Sequence, residues 1–180
     1  MAFSPHHLYF DDIAIGQEWE SPGRTVTEAD IVLYAGFSGD YNPMHVDHEY
    51  AKTTPFRRPI AHGFAVFSIA SGLGVQMPMI RTIALLAVRE WRFVNPVFAG
   101  DTIRVRTRVV DKTLKGRGRR GEVVWHRSII NQDGKVVQEG DILTLVECRP
   151  LVKSVDGCSM ETVVEAGHLG NNGTALEKTT

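Results

Sequence analysis

Cysteine is scarce in this chain: two among 180 residues, Cys148 and Cys158. Neither sits in a metal-type spacing, and two thiols do not make a disulfide scaffold, so a reducing, cytoplasmic setting is the expectation. Charge of one sign is missing as well. A formal net charge of -1 supplies no global field to recruit nucleic acid or an anionic membrane. No apolar run is long and clean enough to cross a bilayer: residues 63–80 are interrupted by Gly72, Gly74, Gln76 and Pro78, which reads as a core helix and not a membrane span. The opening residues, through Pro5-His6-His7, lack the basic stretch and apolar core of a secretory signal. No internal repeat is visible. What is present, 43% hydrophobic and 23% charged residues, is the balance of one soluble domain with a sizeable core.

Local signals divide the chain. An extended segment is expected over residues 17–26. Thr27-Glu28-Ala29-Asp30 then has the form of a helix start, with Thr27 as N-cap and acids in the first turn. Ile31, Tyr34 and Ala35 give that helix one apolar side, and Gly36 and Gly39 end it. A short helical turn is expected over residues 48–52. Pro55 and Pro59 break the chain before a helix over residues 63–76, apolar on nearly all sides (Phe64, Ala65, Val66, Phe67, Ile69, Ala70, Leu73, Val75). Such a helix must be surrounded by protein. Residues 82–93, 101–111, 122–131 and 135–147 are rich in Val, Ile, Leu, Thr or Trp and separated by turn chemistry such as Gln132-Asp133-Gly134. Consecutive strands of this kind form an antiparallel sheet with one face covered. The expected class is α+β, a curved antiparallel sheet wrapped around the long central helix. Residues 1–150 make the domain, and residues 151–180, dominated by Gly, Asn, Ser, Glu and Thr, read as a C-terminal tail.

Chemistry concentrates in Gly39-Asp40-Tyr41-Asn42-Pro43-Met44-His45-Val46-Asp47 and in Pro59-Ile60-Ala61-His62-Gly63. Asp40 and His45 are five positions apart and would not share a helix face, so their convergence requires a bent loop. Gly39 permits an unusual turn, and Pro43 fixes its own φ while pushing Asn42 toward an extended conformation. His45, Asp47, His48 and His62 are close in sequence, but their spacing matches no zinc or calcium pattern, and no metal is expected. Arg104, Arg106 and Arg108 alternate with Ile103, Val105, Thr107 and Val109. They read as a solvated outer sheet face, or as a docking surface for phosphates or an acidic carrier protein.

The motif resembles that of the MaoC-like dehydratases, the (R)-specific enoyl-CoA hydratase family with a hot-dog fold. The likeness is carried by residues 34–45 (Tyr34 through His45), Asp47, Ala51, residues 59–63 and Ser71, and more loosely by residues 93–97 and Gly100-Asp101. His48 stands where members of that family often have Pro. The resemblance implies reversible hydration of trans-2-enoyl-CoA to (R)-3-hydroxyacyl-CoA without metal or cofactor. It implies that Asp40 and His45 hold and activate the water, and that Ser71 bonds the imidazole. The oxyanion donor is expected to be the Gly63 N–H at the positive end of the central helix. Asn42 is expected to hold the loop, and His62 to pack or bond locally at the helix entry beside the substrate. Phe64 is expected along the acyl tunnel. The implied partners are an acyl-CoA or acyl carrier protein thioester and further copies of the chain, in a homodimer or larger homo-oligomer whose sheets join edge to edge. Two other readings stay open: a hot-dog acyl-CoA thioesterase, and a non-catalytic subunit of a heteromeric dehydratase.

Overall fold

A computed structural model describes residues 6–150; the expected tail, residues 151–180, lies outside the described residues. After a 3-10 turn at Phe10–Asp12 come β1 (Glu18–Glu20), β2 (Arg24–Thr25), α1 (Glu28–Ser38), α2 (Pro43–Val46), α3 (His48–Thr53) and α4 (Gly63–Gln76). The sheet is completed by β3 (Thr82–Phe93), β4 (Thr102–Lys115), β5 (Arg120–Ile130) and β6 (Val136–Glu147). The named strands all pair antiparallel, in the order β1-β4-β5-β6-β3, with β2 also on β4. This is the hot-dog arrangement, a curved sheet with one long helix against its face.

Alternation along β4 sorts its residues as expected. Ile103, Val105, Thr107 and Val109 are buried, while Arg104 and Arg106 pair with Glu20 and Arg108 approaches Glu18 on the outer face. With glutamates alongside them, these arginines form a mixed-charge solvated surface and not a uniformly basic one. The inner face packs against Val66, Ala70 and Leu73 of α4, together with Val26, Ile31, Val97, Ile129 and Val137.

Two expectations need correction. The extended segment over 17–26 is split into β1 and β2. Pro22 lacks an N–H to donate, and the buried Ser21 instead accepts from Val105 N–H through Oγ at 2.9 Å while its own N–H reaches Val105 O. The central helix is also not enclosed all round. Ala65, Val66, Ala70, Leu73 and Gly74 are buried, but Phe64 and Val75 are 64% and 68% exposed. One sheet covers one side of a helix, and the opposite stripe is left for something else to cover. The same holds for the edge strand β3, where Ile83, Leu85, Leu86 and Val88 are exposed.

Candidate active site

The loop carrying Asp40 is built by local hydrogen bonds that the sequence dictates. Helix α1 starts at a capping box between Thr27 and Asp30 and ends at Gly39, which adopts the left-handed conformation (φ 75°) that glycine tolerates. Asp40 N–H donates to Ser38 Oγ at 3.1 Å, and Asn42 N–H donates to Asp40 Oδ1 at 3.2 Å. Asn42 then caps α2, accepting from Met44 N–H, with Pro43 in the first turn. The bent loop thereby reverses direction between Asp40 and His45. The Asn42 side chain is thus tied to the loop backbone. Asp47 is a cap too, accepting from the Glu49 and Tyr50 N–H groups at the start of α3, and His48 bonds Glu28 at 2.8 Å.

His62 is the N-cap of α4, is buried, and lies with its ring stacked on that of His45. One ligand atom from each of Asp40, His45 and His62 lies within 4.8 Å of the other two. The tautomers follow from the partners, because a carbonyl only accepts. His45 Nδ1–H donates to Ile60 O at 2.7 Å, and His62 Nε2–H donates to the backbone O of Asp40 at 2.8 Å. Nε2 is therefore the acceptor nitrogen of His45 when the ring is neutral. Burial is the main force holding its pKa below the ordinary histidine value; the neighbouring His62 adds to this, while the Ile60 carbonyl and Asp40 act in the opposite direction. His62 Nδ1 is buried with no hydrogen-bond partner among the described residues.

Gly63 opens α4 directly after His62, so its N–H is among those that a helix leaves without an internal partner. His45 and Gly63 line one cavity of about 370 Å³ with Phe56, Phe93, Asn95 and Gln138. A Cβ at position 63 would lie 2.7 Å from the Phe93 ring, so packing leaves no room for a larger residue unless that ring moves. Composition did not point to Gln138. It is buried on β6, donates to Gly63 O at 2.8 Å and accepts from Trp91 Nε1 at 3.1 Å, so it anchors the first turn of α4. Its only sequence signal is an amide among the inward residues of an apolar strand.

The remaining candidates fall elsewhere. Phe64 is exposed and meets Phe93 edge-on at 5.6 Å. Ser71 lines a separate cavity with Phe67, Gly74 and Arg127, and no hydrogen bond joins it to His45 among the described residues.

Comparison with known proteins adds a lineage to this geometry. A family described as MaoC like domain matches residues 12–128. The (R)-specific enoyl-CoA hydratase of Rhodospirillum rubrum is 37% identical over 142 residues, 78% of this chain and 93% of that protein. Protein MaoC of Klebsiella aerogenes is 40% identical over 111 residues, which cover 62% of this chain and span 33% of that longer protein. Among solved structures, a MaoC-like dehydratase from Rhodospirillum rubrum superposes with a TM-score of 0.70 at 30% identity, covering 80% of this chain and 99% of that one.

Proposed function

Because this chain belongs to the MaoC-like domain family, we propose that it is a hydro-lyase that reversibly converts trans-2-enoyl-CoA to (R)-3-hydroxyacyl-CoA. The observation that carries the reading is the clustering of Asp40, His45 and His62, with His45 and Gly63 on one cavity wall. Water held between the Asp40 carboxylate and His45 Nε2 attacks C3. Its proton passes to the pair, and the pair returns a proton to C2, so both groups end in their starting charge. A neutral His45 with Nδ1–H held by Ile60 O is ready to accept that proton at Nε2, and Asp40 stabilises the imidazolium that forms. Two coupled titrating groups act here as one unit. The Gly63 N–H, at the positive end of α4, stabilises enolate charge on the thioester oxygen; one such donor is worth roughly 3 kcal/mol in comparable sites.

The catalytic domain in this reading is residues 1–150, and the working form is a homodimer. The exposed apolar residues of β3 and the uncovered stripe of α4 are the surfaces a second subunit would bury. The carrier is coenzyme A or an acyl carrier protein. A cytoplasmic setting suits both the thioester and the buried free thiol of Cys148.

The test is to incubate the purified chain with crotonyl-CoA. Loss of enoyl absorbance without free thiol supports hydration. Release of thiol transfers the assignment to a thioesterase. No reaction from the well-folded chain alone, with activity restored by a second protein, makes it a subunit of a heteromeric enzyme.

A further inference from the structure

Strand β5 directs Val123, Trp125, Arg127 and Ile129 to one face, by alternation. Three of these are core residues, buried to 2% exposure or less. The fourth is a guanidinium. Arg127 lies in register with Thr107 of β4 and Gly140 of β6. Its Nη2–H makes a long 3.4 Å bond to Gly74 O, and its Nε is buried without a partner. Thr107 Oγ1, on a residue with 0% exposure, is likewise unpaired. No carboxylate pairs with Arg127 among the described residues. Burial pushes its pKa down to about 10, so it remains a cation at neutral pH. An inward cation without a counter-ion costs stability. The helix makes room for it, because a Cβ on Gly74 would lie 2.7 Å from the guanidinium carbon.

These groups face a cavity of about 230 Å³ whose other walls include Phe67, Ser71, Leu85, Ile142 and Thr144. We propose that this cavity binds the acyl part of a thioester that carries a carboxylate, with Arg127 as the counter-ion and Thr107 as a second hydrogen-bond donor. The proposal rests on the hydratase reading and names its substrate class. A guanidinium fork matches a planar carboxylate in two parallel bonds. The apolar walls suit methylene groups, and the volume is too small for the nucleotide of coenzyme A. Thr82 and Leu85 place the cavity beside the edge strand β3, so a thioester held by the same chain or by a second subunit could extend into it. Ser71, on the same wall, joins the acyl subsite.

The test compares adipoyl-CoA with hexanoyl-CoA and succinyl-CoA with butyryl-CoA by calorimetry; these saturated pairs cannot be hydrated and differ in the terminal group. The same comparison in turnover uses methyl-ended and carboxylate-ended trans-2-enoyl-CoA of equal length. A charged hydrogen-bonded pair predicts about a 10-fold or greater preference for the carboxylate in at least one pair. That preference should disappear in Arg127→Met and weaken in Thr107→Val, with circular dichroism confirming the fold of each. Equal binding in every pair, or a preference that survives Arg127→Met, overturns the proposal. If Arg127→Met does not fold, an undiminished preference in Thr107→Val together with Arg127→Lys overturns it. Arg127-dependent binding without any hydration would sustain this site and remove the hydratase reading; hydration with no carboxylate preference would do the reverse.

Discussion

The imidazoles of His45 and His62 stack with ring centroids 3.8 Å apart and planes inclined by 28°. One ring comes from the short helix α2, the other from the cap of α4, so the stack is where the loop is joined to the helix. Each ring gives its N–H to a carbonyl on the other segment: His45 to Ile60 O and His62 to Asp40 O. This crossed pairing fixes both tautomers and the direction of Asp40.

Removing one half of the crossed pairing should loosen the site without unfolding the domain. His62→Phe keeps an aromatic ring against His45 but leaves the Asp40 carbonyl unpaired, at a cost of about 1–3 kcal/mol. The expected result is a roughly 10-fold or larger fall in kcat for crotonyl-CoA hydration, with near-native circular dichroism. His62 also lowers the His45 pKa, so the acid limb of the pH profile should move upward in this variant.

The pH dependence follows from the burial of His45. Its pKa in the folded chain lies below the ordinary value of 6.5, so the neutral form needed at Nε2 dominates at neutral pH. We expect kcat/KM to be flat through neutrality and to fall on the acid side with an apparent pKa below 6.5. Stability has the same sign. The unfolded chain binds more protons between the two values, so His45's contribution is full above the unfolded pKa and is lost as pH falls toward the folded one. Chemical denaturation in His45→Gln should show a weaker dependence over that window.

Gly63 allows the backbone donor to be separated from the side chain. Gly63→Ala drives a Cβ into the Phe93 ring and should destabilise by about 1–3 kcal/mol. The double variant with Phe93→Ala should recover most of that. In the Phe93→Ala background, Gly63→Pro removes the N–H at a helix position that accepts proline, after a residue already at φ −58°, ψ 133°. If the N–H is the oxyanion donor, kcat should be about 10²–10³-fold lower for the Gly63→Pro double variant than for the Gly63→Ala one. Equal rates would remove that role.

Among the described residues β3 is an edge strand, and its exposed apolar side chains predict the assembly state. Light scattering should find a dimer, and Ile83→Lys with Val88→Lys, at positions 51% and 42% exposed, should produce monomer and lower the thermal midpoint. A monomeric parent chain would contradict this.

Much of the architecture was legible because its determinants are local. Thr27 and Gly39 mark the ends of α1, the onset of apolar residues at Gly63 marks α4, and Val, Ile and Thr enrichment marks β3 to β6. The acid and imidazole were legible as a pair because Gly39, Asn42 and Pro43 dictate the bend between them. Less visible was anything set by pairing across the chain. The first strand divides where Pro22 lacks a donor and Ser21 bonds Val105, distant in sequence. Gln138 and Arg127 matter through the face of the strand they occupy, and enrichment alone does not reveal that a polar residue points inward. Which sides of α4 the described residues cover is set by packing across the chain, and apolar composition alone does not reveal it.

The direct test of the whole account is the initial rate of crotonyl-CoA hydration by the parent chain, by Asp40→Asn and by His45→Gln. The account predicts that each substitution lowers kcat/KM by at least ~10²-fold while the thermal midpoint and far-ultraviolet spectrum are retained. Near-parent turnover in both folded variants would contradict it.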